Sequence, residues 1–269
     1  MTTTISNSNL RATIKHLGAE LSSLQNNQNK EYIWEGNHDF WGKHSPILFP
    51  IVGTLKDNTY AYNGEKFSLP RHGFAREMEF ELIDKKENTA TFRLQYSEST
   101  LKVYPFAFEL QLIYTLQENS LHLDYKVVNM GKSIMPFSIG GHPAFALPGN
   151  FEAYTIAFEK DEPLEYSLLV DDLISNKTKK LEVKNKQIPL TYGLFENDAL
   201  IFKSLKSKSV TILENHNPVL KLHFEDFPSL GIWTKINAPF LCIEPWFGYS
   251  DTNDNSGNIL EKEGIHLLE

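Results

Sequence analysis

Glu244 follows the apolar run Phe240-Leu-Cys-Ile243 and precedes Pro245 and Trp246. A carboxylate in such surroundings loses water, and desolvation raises its pKa toward the range where it serves as a general base near neutral pH. The plainer reading is a solvated glutamate at a strand end, which is the commoner fate of this residue type. A second segment, Ile139-Gly-Gly-His-Pro-Ala-Phe145, sets His142 between a glycine pair and a proline. Glycine permits close backbone approach and Pro143 holds the residue before it extended, so room is left beside the imidazole. In a third segment, Pro70-Arg-His-Gly-Phe-Ala-Arg76, His72 is flanked by Arg71 and Arg76, two of the chain's four arginines. Surface pairing of these arginines with Glu77 or Glu79 is the competing account of that cluster. A carboxylate that accepts a proton and an imidazole that gives one form a general acid–base pair. Two histidines with a glutamate are also a ligand set for iron or zinc, although no His-x-His or His-x-x-Glu spacing occurs among them. A glycosidase needs two carboxylates across the bond it cleaves, and only Glu244 stands out.

Side chains of this kind act only when rigid elements aim them. The hydrophobic period that builds those elements is two. Apolar residues fall at Phe106, Phe108, Leu110, Leu112, Tyr114 and Leu116, and again at Leu121, Leu123, Tyr125 and Val127 after a polar break, which predicts a long antiparallel hairpin. Thr59–Tyr62 and Glu65–Leu69 flank Asn63-Gly64, a pair suited to the positive φ angles of a type I′ turn. Met78–Asp84 and Thr89–Tyr96 form another hairpin candidate. Further strands are expected at Tyr154–Phe158, Ala199–Phe202, Val210–Leu213, Val219–Phe224, Leu230–Thr234 and Phe240–Ile243. The one helical candidate is Ser97–Val103, ended by Pro105. The polar, lysine-rich stretch Asp171–Lys186 is expected as a surface loop or irregular hairpin. No fixed-period repeat occurs, and strands do not alternate with helices, so the expected class is all-β with antiparallel sheets and few short helices, in one domain over residues 1–269.

Composition narrows the function classes. The formal net charge of -8 argues against a nucleic-acid or anionic-membrane surface, which needs a basic face. No apolar stretch has the length of a membrane helix, and the N-terminal residues lack the basic and apolar regions of a signal peptide. The single cysteine, Cys242, suits a reducing compartment, and the expected location is the cytoplasm. Trp34, Trp41, Trp233 and Trp246 are each able to stack on a sugar face, with Trp246 and Trp233 favoured by their neighbours.

Taken in order along the chain, these segments resemble the aldose 1-epimerase (galactose mutarotase-like) family, nearest its LacX-type and hexose-6-phosphate mutarotase branch. The resemblance runs through Leu17-Gly-Ala-Glu-Leu21, Tyr32-Ile-Trp34, Pro46–Gly53, Arg71–Arg76, Tyr104-Pro-Phe106, Phe137–Phe145 and Ile243-Glu-Pro-Trp246. It implies a β-supersandwich that interconverts the α and β anomers of an aldose, with no metal and no cofactor. Carried over by position, Glu244 matches the general base, His142 the general acid, and His72 a second histidine that holds the sugar. Asp198 matches a hydroxyl-binding aspartate, with neighbouring Glu196 as its competitor. The galactose-specific branch has an arginine where Thr54 follows Gly53 here, and its His-Gly-Gly is replaced by His72-Gly-Phe. Arg71 and Arg76 suit a more anionic ligand such as a sugar phosphate, because guanidinium forks onto phosphate oxygens. The expected partner is therefore a small aldose or aldose phosphate. A non-catalytic sugar-binding protein on the same fold is the alternative.

Overall fold

The computed structural model describes residues 1–269, and nearly all of its regular structure is antiparallel β. Strand Phe108–Gln117 buries Phe108, Leu110, Leu112, Tyr114 and Leu116 and turns its alternate residues outward, as period-two patterning requires. It pairs with Ser120–Asn129 across a two-residue loop and with Thr89–Gln95, which in turn pairs with Glu81–Lys85. Asn63 and Gly64 take φ of 50° and 81°, the left-handed pair that closes Thr59–Tyr62 onto Glu65–Ser68. The short helix is Glu98–Leu101, capped by a reciprocal Ser97–Thr100 pair. No helix is long and apolar enough to cross a membrane.

An eight-stranded sheet carries the candidate site. Its strands, numbered in chain order, are β1 (Ile47–Leu48), β2 (Ile139–Gly141), β3 (Ala144–Ala146), β4 (Glu165–Val170), β5 (Leu173–Lys180), β6 (Leu200–Phe202), β7 (Ser229–Trp233) and β8 (Phe240–Phe247). The order across the sheet is β5-β4-β6-β7-β8-β2-β1, with β3 also paired to β8. Apolar residues from Ile5 to Ile243 share one core that joins this sheet to the others.

Two expectations need correction, and a third resolves to one of its two alternatives. The strand expected to stop at Ile243 continues through Pro245 to Phe247. Ile243 donates its amide to Pro143 O at 3.2 Å. Alternate residues direct their amides to the same edge, so the Pro245 nitrogen faces the gap between β2 and β3. The ladder is interrupted there and no donor is missed. Of the two forms expected for Asp171–Lys186, the irregular hairpin holds over its first half: β5 is polar because its outer face is solvated, and it pairs with β4 over most of its length, with a register shift between Ser167 and Leu169. Finally, the hairpin expected from Met78 begins at Glu81, because Ala75–Glu77 form a 3₁₀ turn that ends at Met78.

Candidate functional site

On β8 the side chains of Cys242, Glu244 and Trp246 share one face, and β7 sets Trp233, Gly231 and Ser229 opposite them. Trp246 lies across two bare backbones. A Cβ at Gly231 would stand 2.6 Å from its Cζ2, and one at Gly140 2.7 Å from its Cδ1. Only glycine at both positions lets the indole lie flat, and this fixes one wall of a cavity of about 390 Å³.

His142 sits where the chain leaves β2 and turns into β3, its amide bonded to Pro46 O at 3.0 Å. Its ring stacks on Trp41 at 4.9 Å and meets the edges of Trp233 at 6.0 Å and His72 at 5.7 Å. Boxed in this way, its Nε2 lies 3.2 Å from Glu244 Oε2. Neither His142 Nδ1 nor Glu244 Oε2 has a hydrogen-bond partner, and both are buried. Burial pushes the Glu244 carboxyl well above the carboxylate range, and Asp198 adds to the shift while Arg71 opposes it. Burial, with the nearby charges of Arg76 and Arg71, lowers His142 to about 3. Both shifts favour the uncharged forms, a carboxylic acid beside a neutral imidazole.

His72 has φ of 67° and is locked to Gly53 in both directions. Its amide donates to Gly53 O at 2.8 Å, and its Nδ1 accepts from the Gly53 amide at 3.0 Å. An Nδ1 that accepts carries no proton. Burial first, then repulsion from His142 in its charged form and from Arg76 and Arg71, hold the ring well below its ordinary pKa and so neutral. The proton of His72 must then be on Nε2, which makes that atom a hydrogen-bond donor.

Arg71, Arg76 and Asp198 complete the lining with Trp246, so every residue singled out by position reaches the same cavity. Asp198 takes φ of 76° and accepts from the Ala199 amide at 2.7 Å, whereas Glu196 is exposed and outside the cavity. Arg76 donates to Arg71 O at 2.8 Å, and its Nε is buried without a partner, 3.7 Å from Glu77. Glu77 pairs instead with Lys43 at 2.7 Å, and Arg71 pairs with Asp172. The surface pairing considered for the two arginines is thus met only by the long Arg76–Glu77 contact.

The ligand atoms near enough to share a metal are those of His142, Cys242 and Glu244, within 4.8 Å of one another, and His72 is not among them. Burial, with Glu244 adding, holds the Cys242 thiol well above its usual range, so it stays protonated and is a poor ligand in that state.

Sequence reasoning named Trp41 only among four tryptophans able to stack on a sugar, without favouring it, and passed over Ser250 and Leu169; all three line the cavity. Trp41 stands in an irregular stretch without periodicity, held by Trp34 Nε1 on its carbonyl at 2.8 Å. Ser250 accepts the Thr54 amide at 3.0 Å and presses on Gly53, whose Cβ would be 2.1 Å from its Oγ. The nearest sequence signal for that contact was Gly53 itself. A second cavity beside Asp161 and Glu162 offers less, because Glu162 already accepts the Lys206 and Ser207 amides at 2.8 and 2.7 Å.

An all-β scaffold with a neutral imidazole–carboxyl pair in an aromatic-walled pocket is suited to proton transfer on a small polar ligand. The chain belongs to the aldose 1-epimerase family, whose model matches residues 1–265. Protein LacX (plasmid) of Lactococcus lactis subsp. lactis is 35% identical over 97% of this chain and 92% of its own length. A galactose mutarotase related enzyme of Lactobacillus acidophilus superimposes with a TM-score of 0.94 at 34% identity, covering 100% of this chain and 93% of that one. A galactose mutarotase-like protein of Lactobacillus casei gives 0.94 at 31% identity, covering 100% and 95%. The galactose mutarotase-like fold that the resemblance implied is therefore the fold of this chain, and its chemistry falls within the isomerase class.

Proposed function

We propose that this protein is a metal-independent aldose 1-epimerase that interconverts the anomers of a hexose or hexose phosphate, acting as one domain in the cytoplasm. The observation that carries this reading is the 3.2 Å approach of His142 Nε2 to Glu244 Oε2 inside the cavity. Proton transfer across that contact converts the neutral pair into carboxylate and imidazolium. Glu244 then takes the proton of the C1 hydroxyl while His142 gives one to the ring oxygen, and the C1–O5 bond breaks. The product is the open-chain aldehyde, with the pair again neutral. After rotation about C1–C2, the O5 hydroxyl attacks the other face of the carbonyl. Its proton passes to His142, and Glu244 protonates the new C1 oxygen. Each well-placed proton transfer is worth roughly 10²–10⁴-fold.

In this reading His72 donates its Nε2 proton to a sugar oxygen, Asp198 accepts from a hydroxyl, and Trp246 packs on the ring. Arg71 and Arg76 lie in the lining where a charged substituent would meet them. The buried, single Cys242 is consistent with a reducing compartment.

The test is polarimetry on freshly dissolved α-glucose, α-galactose and glucose 6-phosphate, with and without chelator. Acceleration of at least one sugar, undiminished by chelator, is the expected result. Loss of activity on chelation would shift the reading to a metal enzyme. Binding without acceleration would leave a sugar-binding protein.

A further inference from the structure

Strands β4 and β5 meet at a two-residue turn, Asp171-Asp172, with φ of 52° and 64°. That turn reaches the mouth of the cavity. Leu169, three residues before Asp172, is part of the cavity wall. Ile174, two residues after it, is fully buried, donates its amide to Asp251 O at 2.8 Å and accepts from Asn253 N at 3.1 Å. The turn is therefore anchored by backbone bonds on one side and by packing on the other, independently of its own side chains. From this fixed position the Asp172 carboxylate meets Arg71 Nη1 at 3.2 Å, bridging 101 residues of sequence. Asp171, next in the chain and of the same charge, makes no ion pair.

Arg71 is a cavity residue whose charge is felt by Glu244. Its guanidinium is the natural seat for an anionic substituent at the cavity mouth, but Asp172 already occupies part of its fork. An anionic sugar must share or displace that carboxylate, and it also meets the negative charge of Asp172 itself. A neutral sugar meets neither demand. Discrimination of this kind comes from making the disfavoured ligand worse as well as the favoured one better.

We propose that Asp172 is a specificity-determining residue: by engaging Arg71 at the cavity mouth, it disfavours sugars with an anionic substituent relative to neutral sugars. The proposal rests on the aldose-site reading above and sharpens its substrate class. Asn accepts the left-handed φ of position 172 as readily as Asp, so Asp172→Asn removes the charge and keeps the turn.

The measurement is the ratio of kcat/KM for glucose 6-phosphate to that for glucose, in wild type, Asp172→Asn, Asp171→Asn, Arg71→Gln and the Arg71→Gln/Asp172→Asn double variant. Asp172→Asn should raise the ratio roughly fivefold, the scale of a half-exposed ion pair. Asp171→Asn should move it much less, and the double variant should match Arg71→Gln alone. An unchanged ratio in folded Asp172→Asn overturns the proposal. So does an equal rise in Asp171→Asn, or a rise that persists without Arg71, since either would reduce the effect to general surface charge. If the wild type binds both sugars but turns over neither, the mutarotase reading fails. The same ratio, read then as Kd by calorimetry, still decides the role of Asp172. Binding of neither sugar overturns both.

Discussion

Glu20 and Glu244 are both buried carboxylates, 9% and 2% exposed, and the protein treats them in opposite ways. Glu20 is surrounded by donors. Its Oε1 accepts the amides of His44 and Ser45 at 2.7 and 3.1 Å, and its Oε2 lies 3.3 Å from Lys15 Nζ and 3.7 Å from His44 Nδ1. Burial alone would raise its pKa, but hydrogen bonds from His44 and the charge of Lys15 outweigh it and hold the group at about 2. Glu244 has one imidazole at 3.2 Å and an oxygen with no hydrogen-bond partner, and burial drives it upward. One carboxylate is held as a permanent anion that ties the His44–Ser45 end of the stretch carrying Trp41 to the turn between strands Leu10–Lys15 and Leu21–Asn26. The other is kept short of partners and so remains able to exchange a proton. A buried carboxylate is reactive here because its environment leaves it unsatisfied.

The largest effect expected from breaking this contrast follows Glu244→Gln. The amide matches the carboxyl in size and cannot exchange the proton, so mutarotation should fall by roughly 10²–10⁴-fold in a folded protein. Stability should move the other way. A carboxyl whose folded pKa lies above its unfolded value binds more protons in the folded state. The fold therefore loses stability as pH rises from about 4.5 toward the raised value. Glu244→Gln removes that loss and should melt above wild type at pH 7. Near-normal turnover in the folded variant would end the catalytic assignment, and a lower Tm would contradict the account of its burial.

Glu20→Gln should show the reverse pattern. The Glu20 pKa is depressed to about 2, so its contribution is fully present above the unfolded value near 4.5 and is lost as pH falls through about 2. The variant should lose about three and a half kcal/mol at pH 7, a shift of roughly two and a half units at about 1.4 kcal/mol each. Urea denaturation of both proteins between pH 2 and 7 checks this, because the difference between them should shrink toward the acid end. Its activity, assayed where the variant is still folded, should fall less than that of Glu244→Gln. If Glu20→Gln silenced turnover without loss of stability, the division of labour between the two carboxylates would be wrong.

The same contrast marks how far the sequence could be read. Period two in Phe108–Leu116 announced its strand because one face is buried and the other is not. Strand β5 gave no such signal, since Lys177, Lys179 and Lys180 are all exposed and its pairing depends on backbone bonds to β4. Pro245 suggested a strand end, and only the interruption between β2 and β3 explains its place inside β8. Glu244, His142 and His72 stood out because glycine, proline and tryptophan beside a titratable group are a local signal. Glu20 was visible only as part of the Leu17–Leu21 segment, because its partners lie 5 to 25 residues away in a stretch with no period. The tautomer of His72 depends on Gly53, and the pairing of Arg71 on a turn 101 residues distant. Local patterning writes the strands and the candidate side chains. What those side chains are able to do is set by contacts that only the folded chain brings together.

The smallest expected effect separates the partners of Glu20. Lys15 supplies a full charge at 3.3 Å, but about a third of its side chain is exposed, and solvent screens such a pair. The His44 and Ser45 amides supply only dipoles, yet they lie on the buried side of the carboxylate and cannot turn away. If the amides carry the anchoring, Lys15→Met should cost under about 1 kcal/mol at pH 7, much less than Glu20→Gln. The acid transition should then move up in pH only slightly, and turnover should match wild type. A Lys15→Met loss as large as that of Glu20→Gln would make the ion pair the anchor. Glu20 would then differ from Glu244 chiefly in having a cation beside it, rather than in having its buried oxygen satisfied.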